Sequence, residues 1–356
     1  MEKKNKMAPI KSVTINDVAK LSGASIATVS RVLNGSSYPV SEQMRKRVTD
    51  AARELQYSPN LLGHMLKSKT NKCLGIIIPS FQNPFFIQLI MGIENAAKSQ
   101  GYTSFVFSSQ RDDCTEQMLI SQLLQMRISG LLLSATDHSS EALNAFLNTG
   151  ASAAVFEADY PIDPRAINAT SNMNENSYIA TCHLLESGHR NIALLTTPLT
   201  KHNRLMVSRG YHQAMEQYQI PDEQQDVFES SSERELDDAL FEFEAGKELA
   251  DRLLQSSRTY TGIVAVNDLV AWGIIHQLVQ KGIRVPEDIS VIGIDDIPQG
   301  VMISPSLTSI SQDSYQHGYE VCLRLIQRLE SGVSVKNERC YRKPNLIIRE
   351  STRTLC

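Results

Sequence analysis

From residue 74 onward the chain alternates between two periodicities, and this alternation limits the folds open to it more than any other feature. Continuous apolar runs occur at 74–78, 104–107, 130–133, 153–156, 191–195, 262–265 and 290–294. Between most of them lie amphipathic stretches of helical length, such as 87–100, 116–126, 177–187 and 269–281. Short strands that are apolar on both faces must be covered on both faces, so the pattern predicts an α/β core of parallel sheets flanked by helices. Ligands of such open sheets sit at the carboxyl ends of the strands. The residues just past these runs are polar or aromatic: Pro-Ser-Phe-Gln-Asn-Pro-Phe-Phe at 79–86, then Glu157 and Asp159, Asn267 and Asp268, and Asp295 and Asp296. Carboxylates and amides beside aromatic rings suit a polyhydroxylated ligand, because each hydroxyl donates and accepts while a ring face covers the C–H surface. The competing role of a strand-end Asp or Asn is to cap the next helix. That role is favoured for Asp268, and ligand contact for Asp295.

The N-terminal part has a different rhythm. Thr14 followed by Asp17 has the start pattern of a helix whose apolar stripe is Ile15, Val18, Ala19 and Leu21, ended by Gly23. Ser25 caps a second short helix with Val29, Val32 and Leu33 on its inner face, stopping at Asn34-Gly35. A third begins at Ser41 and buries Met44, Val48, Ala51, Ala52 and Leu55. Two short helices joined by a tight Gly-containing turn, with a third closing the core, form the helix-turn-helix plan, whose second helix enters the major groove. Its outward residues are then Ser25, Ile26, Ala27, Thr28, Ser30, Arg31 and Asn34. Arg31 is the one suited to bidentate contact with guanine O6 and N7, whereas Ile26 and Ala27 can touch only thymine methyls or sugar edges.

Charge supports an interface at this end alone. The whole chain carries a net charge of -4, yet residues 1–72 hold 13 Lys and Arg against 5 Asp and Glu, and the remainder holds 22 against 34. A basic head on an acidic body is a footprint of nucleic-acid binding by one end. The six cysteines, at 73, 114, 182, 322, 340 and 356, have neither paired nor C-x-x-C spacing, which argues against a disulfide scaffold or a zinc site and reads them as buried thiols with a loose C-terminal one. No apolar run reaches the ~18 residues needed to span a bilayer and no secretory signal is recognisable, so the expected location is the cytoplasm, with no membrane partner. G-x-G-x-x-G, phosphate-loop, G-x-S-x-G and H-E-x-x-H patterns are absent from the sequence, which favours binding over catalysis and calls for no cofactor.

The run Thr14-Ile15-x-Asp17-Val18-Ala19-x-x-Ser22-Gly23-x-Ser25-x-x-Thr28-Val29-Ser30-Arg31-Val32-Leu33-Asn34-Gly35, followed by Tyr57-Ser58-Pro59-Asn60, resembles the head of the LacI/GalR (lactose-repressor) family, and the similarity extends over nearly the whole chain. The resemblance implies an all-α helix-turn-helix head and an α/β periplasmic-binding-protein-like core of two Rossmann-like lobes joined by three crossovers. It adds Thr14, Tyr57 and Asn60 to the DNA-contacting set and implies a hinge at 60–69 that folds on operator DNA, with Leu66 as the minor-groove wedge. Gly63-His64 stands where the family usually has Ala-Arg, and Gly63 costs the hinge helix ~1 kcal/mol relative to Ala. The implied organisation is a basic extension (1–13), a head (14–59), a hinge (60–73) and a core (74–356). The first lobe is placed at about 74–165 and 311–338, the second at about 166–310 and 339–356.

In the core, the resemblance assigns effector contacts to Asn267 and Asp295, a first-lobe wall to Phe85 or Phe86, an acidic position to Glu157 and an aromatic wall to Phe241. One match fails: the arginine usual three residues before the Gly-aromatic pair is Val207, ahead of Gly210-Tyr211. Either Arg204 supplies the guanidinium from another direction, or the cleft does not hold a standard neutral sugar. The segment 222–238 resembles a surface insertion. The partners implied are double-stranded DNA with a pseudo-palindromic operator, a second copy of the chain, and a small effector that is a sugar, sugar acid or sugar phosphate. Control by a phosphorylated carrier protein is the alternative, and a solute receptor without a DNA role is the alternative from another class.

Overall fold

The computed structural model describes residues 13–33, 38–57, 72–134, 141–156, 163–170, 172–231, 241–333 and 335–355, in two compact units that divide after Asn71. The first unit is built from α1 (Ile15–Ser22), α2 (Ile26–Leu33) and α3 (Glu42–Glu54). At the start of α1 the Thr14 amide and hydroxyl both donate to Asp17 Oδ2, at 2.9 and 2.7 Å. Gly23 ends α1 with φ 63°, and the Arg47 guanidinium of α3 donates to the adjacent Ser22 carbonyl at 2.5 Å. A side chain at Gly23 would meet both a strained backbone and that guanidinium. Val18, Val29 and Val48, one from each helix, are fully buried together with Ala19, Val32, Ala51 and Ala52. Leu21 does not complete the inner stripe as expected: it is 47 % exposed, and Ser22 takes the inward position with its hydroxyl donating to the Val18 carbonyl at 2.7 Å.

The second unit carries two six-stranded sheets. The first has the order β11 (Arg339–Tyr341), β5 (Ile167–Thr170), β4 (Ser152–Phe156), β3 (Gly130–Ser134), β1 (Cys73–Ile78), β2 (Thr103–Ser108). The second runs β12 (Asn345–Ile347), β10 (Thr308–Ser311), β9 (Ser290–Asp295), β8 (Gly262–Ala265), β6 (Ile192–Thr196), β7 (Asp226–Glu229). All pairings are parallel except that of β10 with β12. Strands β1, β3, β6 and β8 are buried along their whole length, as continuous apolar runs require. The chain passes between the sheets three times: after β5, after β10 into the helix Ser314–Ser331 that packs on the first sheet, and between β11 and β12.

Three expectations are corrected here. The first lobe runs past 165 to include β5 and takes in β11, because both strands pair within the first sheet. The segment 222–238 is not wholly an insertion: β7 pairs with β6 at the edge of the second sheet, and Phe228 packs edge-on against Tyr260; residues 232–240 lie outside the described ones. Cys73, Cys182, Cys322 and Cys340 are buried, but Cys114 is exposed.

Helix packing in the second lobe sets up the site. Helices Phe241–Leu254 and Asp268–Gln280 cross at Gly246 and Gly273, where a Cβ would lie 2.2 Å from the Val270 carbonyl oxygen and 2.0 Å from that of Phe243. Only paired glycines permit so close a backbone approach. The crossing brings the first turn of each helix to the carboxyl ends of the strands.

Candidate DNA-reading helix and effector cleft

In the head, Val29 and Val32 turn α2 inward, leaving Ser25, Ile26, Ala27 and Arg31 exposed and Thr28 and Ser30 half-buried. Ser25 caps the helix, its Oγ accepting from the Thr28 amide at 3.2 Å and lying 2.9 Å from the Thr28 hydroxyl. The Arg31 guanidinium lies over the Tyr38 ring at 4.0 Å, which orients the planar fork, and Tyr38 is a contact the sequence did not disclose. Thr14 is exposed at the start of α1, while Tyr57 packs partly buried against the head core with its amide donating to the Ala52 carbonyl at 2.8 Å. Asn34, Asn60 and Leu66 lie outside the described residues.

In the core, the polar residues at strand carboxyl ends converge on a carboxylate that sequence reasoning passed over. Glu242, in the first turn of Phe241–Leu254, has a side chain only 5 % exposed. Its Oε2 accepts from the Asn83 amide nitrogen at 3.0 Å, and its Oε1 accepts from that of Asn267 at 2.6 Å. Arg111 Nη2 lies 3.1 Å from Oε1 and Arg204 Nη2 lies 3.8 Å from it. Asn83 and Arg111 follow β1 and β2 of the first lobe; Asn267 follows β8 of the second, and Arg204 stands in the helix His202–Gln217 beyond β6. The cluster therefore bridges the lobes. Lys201 and Asp113 pair across the same divide at 3.2 Å.

The missing family arginine has a local explanation. Val207 is fully buried in the core of the second lobe, and Arg209 is exposed. Arg204, one helical turn before Val207 and 8 % exposed, turns inward and anchors its Nε on Thr197 Oγ1 at 2.9 Å.

Beside the cluster, Phe85 lines an apolar pocket with Leu89, Phe156, Ala169, Gln312, Ser314 and His317. Phe85 meets Phe86 edge-on at 5.2 Å; both are buried in the first-lobe core, and of the two it is Phe85 that lines the pocket. Burial, reinforced by Arg342, pushes the His317 imidazole down to about 4, leaving it neutral at physiological pH. Asp295 closes this region from the other lobe: its Oδ1 accepts from Gln312 Nε2 at 2.8 Å, and its φ of 124° is a backbone conformation that costs a non-glycine residue about 1 to 3 kcal/mol. Asn267 contributes doubly, because its Oδ1 also caps the following helix by accepting from the Val270 amide at 2.9 Å. Asp268 is not that cap. It lies buried, accepting from the Ser309 hydroxyl at 2.6 Å and the Ile297 amide at 2.9 Å. Phe241 is half-buried next to Glu242, and Glu157 lies outside the described residues.

Comparison with known proteins gives this arrangement its context. Residues 14–60 match the family described as bacterial regulatory proteins, lacI family, and residues 181–352 match the periplasmic binding protein-like domain. The chain is 31% identical over 343 residues to the HTH-type transcriptional repressor PurR of Actinobacillus pleuropneumoniae serotype 3 (strain JL03), covering 96% of this chain and 99% of the relative. The chain belongs to the LacI family. Among solved structures, this LacI-family chain is similar to the lac repressor dimer bound to operator and the anti-inducer ONPF, with a TM-score of 0.81 and 27% identity over 96% of this chain and 100% of that one. It is also similar to a LacI-family regulator from Enterococcus faecium with bound ribose, with a TM-score of 0.70 and 26% identity over 80% of this chain and 100% of that one. It is a transcriptional repressor of the LacI and PurR type with a DNA-binding and an effector-binding domain, and its relatives are repressors rather than enzymes. Among the described residues no helix is long and apolar enough to cross a membrane.

Asn83, Arg111 and Glu242 were missed for identifiable reasons. Asn83 lies within the polar and aromatic segment 79–86 but was not singled out from it, whereas the loop after β2 that carries Arg111 has no such conspicuous composition. Glu242 resembles any acid in the first turn of a helix.

Proposed function

We propose that the repressor acts as a homodimer in the cytoplasm, gripping a pseudo-palindromic operator through two copies of α2, and responds to a small polar effector held between the core lobes. The observation that carries the DNA half is the two-sided α2, with Val29 and Val32 closing the head core while Ser25, Ile26, Ala27 and Arg31 remain exposed. Arg31 is then the base reader, Thr14 and Tyr57 position the head, and Asn34, Asn60 and Leu66 take the base-edge, hinge and wedge roles that the family resemblance implies.

The effector half rests on amides, guanidiniums and Asp295 gathered at strand carboxyl ends beside the Phe85 wall, a setting that suits a sugar, sugar acid or sugar phosphate from a catabolic route. Arg204 supports a small ligand over control by a phosphorylated carrier protein, since its guanidinium is turned inward. Effector and operator are linked through the two lobe arrangements, and a coupling of about 1 to 3 kcal/mol changes operator affinity about 5 to 150-fold.

The test is Arg31→Ala in competition binding. Specific operator affinity is expected to fall by about 1 to 3 kcal/mol while affinity for unrelated duplex hardly changes. Equal loss on every sequence would show that Arg31 contacts phosphate alone.

A further inference from the structure

Four donors from two lobes meet on one carboxylate that belongs to the protein itself. Asn83 and Arg111 of the first lobe, with Asn267 and Arg204 of the second, surround Glu242. This is the donor set that an acid group entering the cleft would meet. Arg204 is 8 % exposed, and a guanidinium so deeply placed is costly without an anion beside it. If Glu242 swings out, another anion must take its place.

We infer that Glu242 is a built-in occupant of the effector cleft: it holds the lobes together when the cleft is empty, and its carboxylate marks the place of the carboxylate of a small hydroxylated monoacid effector. This rests on the reading of the cleft as the effector site. The hydroxyls are called for by the hydrogen bond from Gln312 Nε2 to Asp295 Oδ1 at adjacent strand ends, a donor and acceptor pair between which a ligand hydroxyl, accepting from one and donating to the other, can insert. A second acid group on the ligand is disfavoured by Asp295. Binding then exchanges one carboxylate for another, so that lobe geometry changes while the charge at the guanidiniums is preserved.

The chain has a single tryptophan, Trp272, which packs against the hydrophobic clusters of both lobes and reports on their separation. The experiment uses the full chain, as wild type, Glu242→Ala and Glu242→Gln. Each is titrated calorimetrically with D-gluconate, D-glucuronate and D-galacturonate, and with D-glucose and D-galactose as neutral counterparts. At least one acid is expected to bind wild type and the neutral sugars to bind at least tenfold more weakly. Glu242→Ala is expected to bind the acid about tenfold or more tightly, because the internal competitor is gone. Glu242→Gln, which keeps the shape and loses the charge, should shift the same way by less and decides the matter should the alanine variant not fold. Trp272 emission of the ligand-free variants should move to longer wavelength and return when the acid is added.

Acids that bind wild type but bind both variants more weakly would overturn the occupant role and make Glu242 a ligand contact, leaving the effector cleft intact. Neutral sugars binding as well as the acids would overturn the monoacid assignment. Failure of every compound to bind any of the three proteins would overturn it too, and operator binding unaffected by any small molecule would count against the cleft reading itself.

Discussion

Asn83 and Asn267, from opposite lobes, are used in the same way, each capping a helix with its amide oxygen and donating its amide nitrogen to one oxygen of Glu242. Asn83 Oδ1 accepts from the Phe85 amide at 2.9 Å and Asn267 Oδ1 from the Val270 amide at 2.9 Å, while their Nδ2 atoms reach Oε2 and Oε1 at 3.0 and 2.6 Å. Helix starts at two strand ends are thereby tied to one buried carboxylate. Replacing either by Ala removes a cap, worth about 1 kcal/mol, and a donor to a charged acceptor, worth about 1.5 to 3 kcal/mol. Because both act on Glu242, the double variant should lose less than the two single losses combined, with a coupling of about 0.5 to 3 kcal/mol in a denaturation cycle. Strict additivity would show that the lobes are not joined through this carboxylate in solution.

Asp268 makes a prediction about pH. It is 1 % exposed, and burial pushes its carboxyl up to about 7 from an ordinary value of 3.8. The folded chain therefore keeps a proton that the unfolded chain releases between those values. The contribution of this group is fully present below the unfolded value and is lost as pH rises through about 7. Asp268→Asn keeps the acceptor for the Ile297 amide and cannot ionise. His317 acts in the opposite sense, since its depressed imidazole favours folding as pH rises between about 4 and 6.5, so the informative quantity is the difference between variant and wild type. Calorimetry from pH 4 to 8 should show the variant gaining on wild type by an amount on the order of a few kcal/mol. A constant difference across that range would contradict the buried, proton-holding acid.

The crossing at Gly246 and Gly273 makes a third. A Cβ at Gly273 would lie 2.0 Å from the Phe243 carbonyl oxygen, a backbone atom that can yield only if the helices part. Gly273→Ala should destabilise the core by about 1 to 3 kcal/mol. It should also lengthen the contact between Asn267 and Glu242, read as a shift in Trp272 emission. An unchanged melting point would show that the helices are not held this closely.

Much of this fold is legible in the sequence, because seven strands are continuous apolar runs that no exposed segment would carry. The strand Thr308–Ser311 was invisible for a physical reason. Its residues are largely hydroxylated yet buried, and the hydroxyls are satisfied internally, as Ser309 is on Asp268 and Thr308 next to Thr352 at 3.0 Å. A polar strand satisfied this way leaves no hydropathy trace. The edge strand Asp226–Glu229 begins and ends on acids and reads as a loop. In the site, Asn267, Asp295 and Phe85 follow from the strand-end rule, and Arg204 from the failed match at Val207. The convergence on Glu242 did not follow, because it joins loops more than a hundred residues apart and is fixed by a backbone crossing at two glycines.

The central claim, that α2 presents its polar face to base edges, is tested most directly by selecting the full chain against a random duplex library. A pseudo-palindromic site should be enriched, and the preference at one position in each half should disappear for Arg31→Ala. No enriched sequence for the wild-type chain, or an enriched site unchanged by that substitution, would contradict the account.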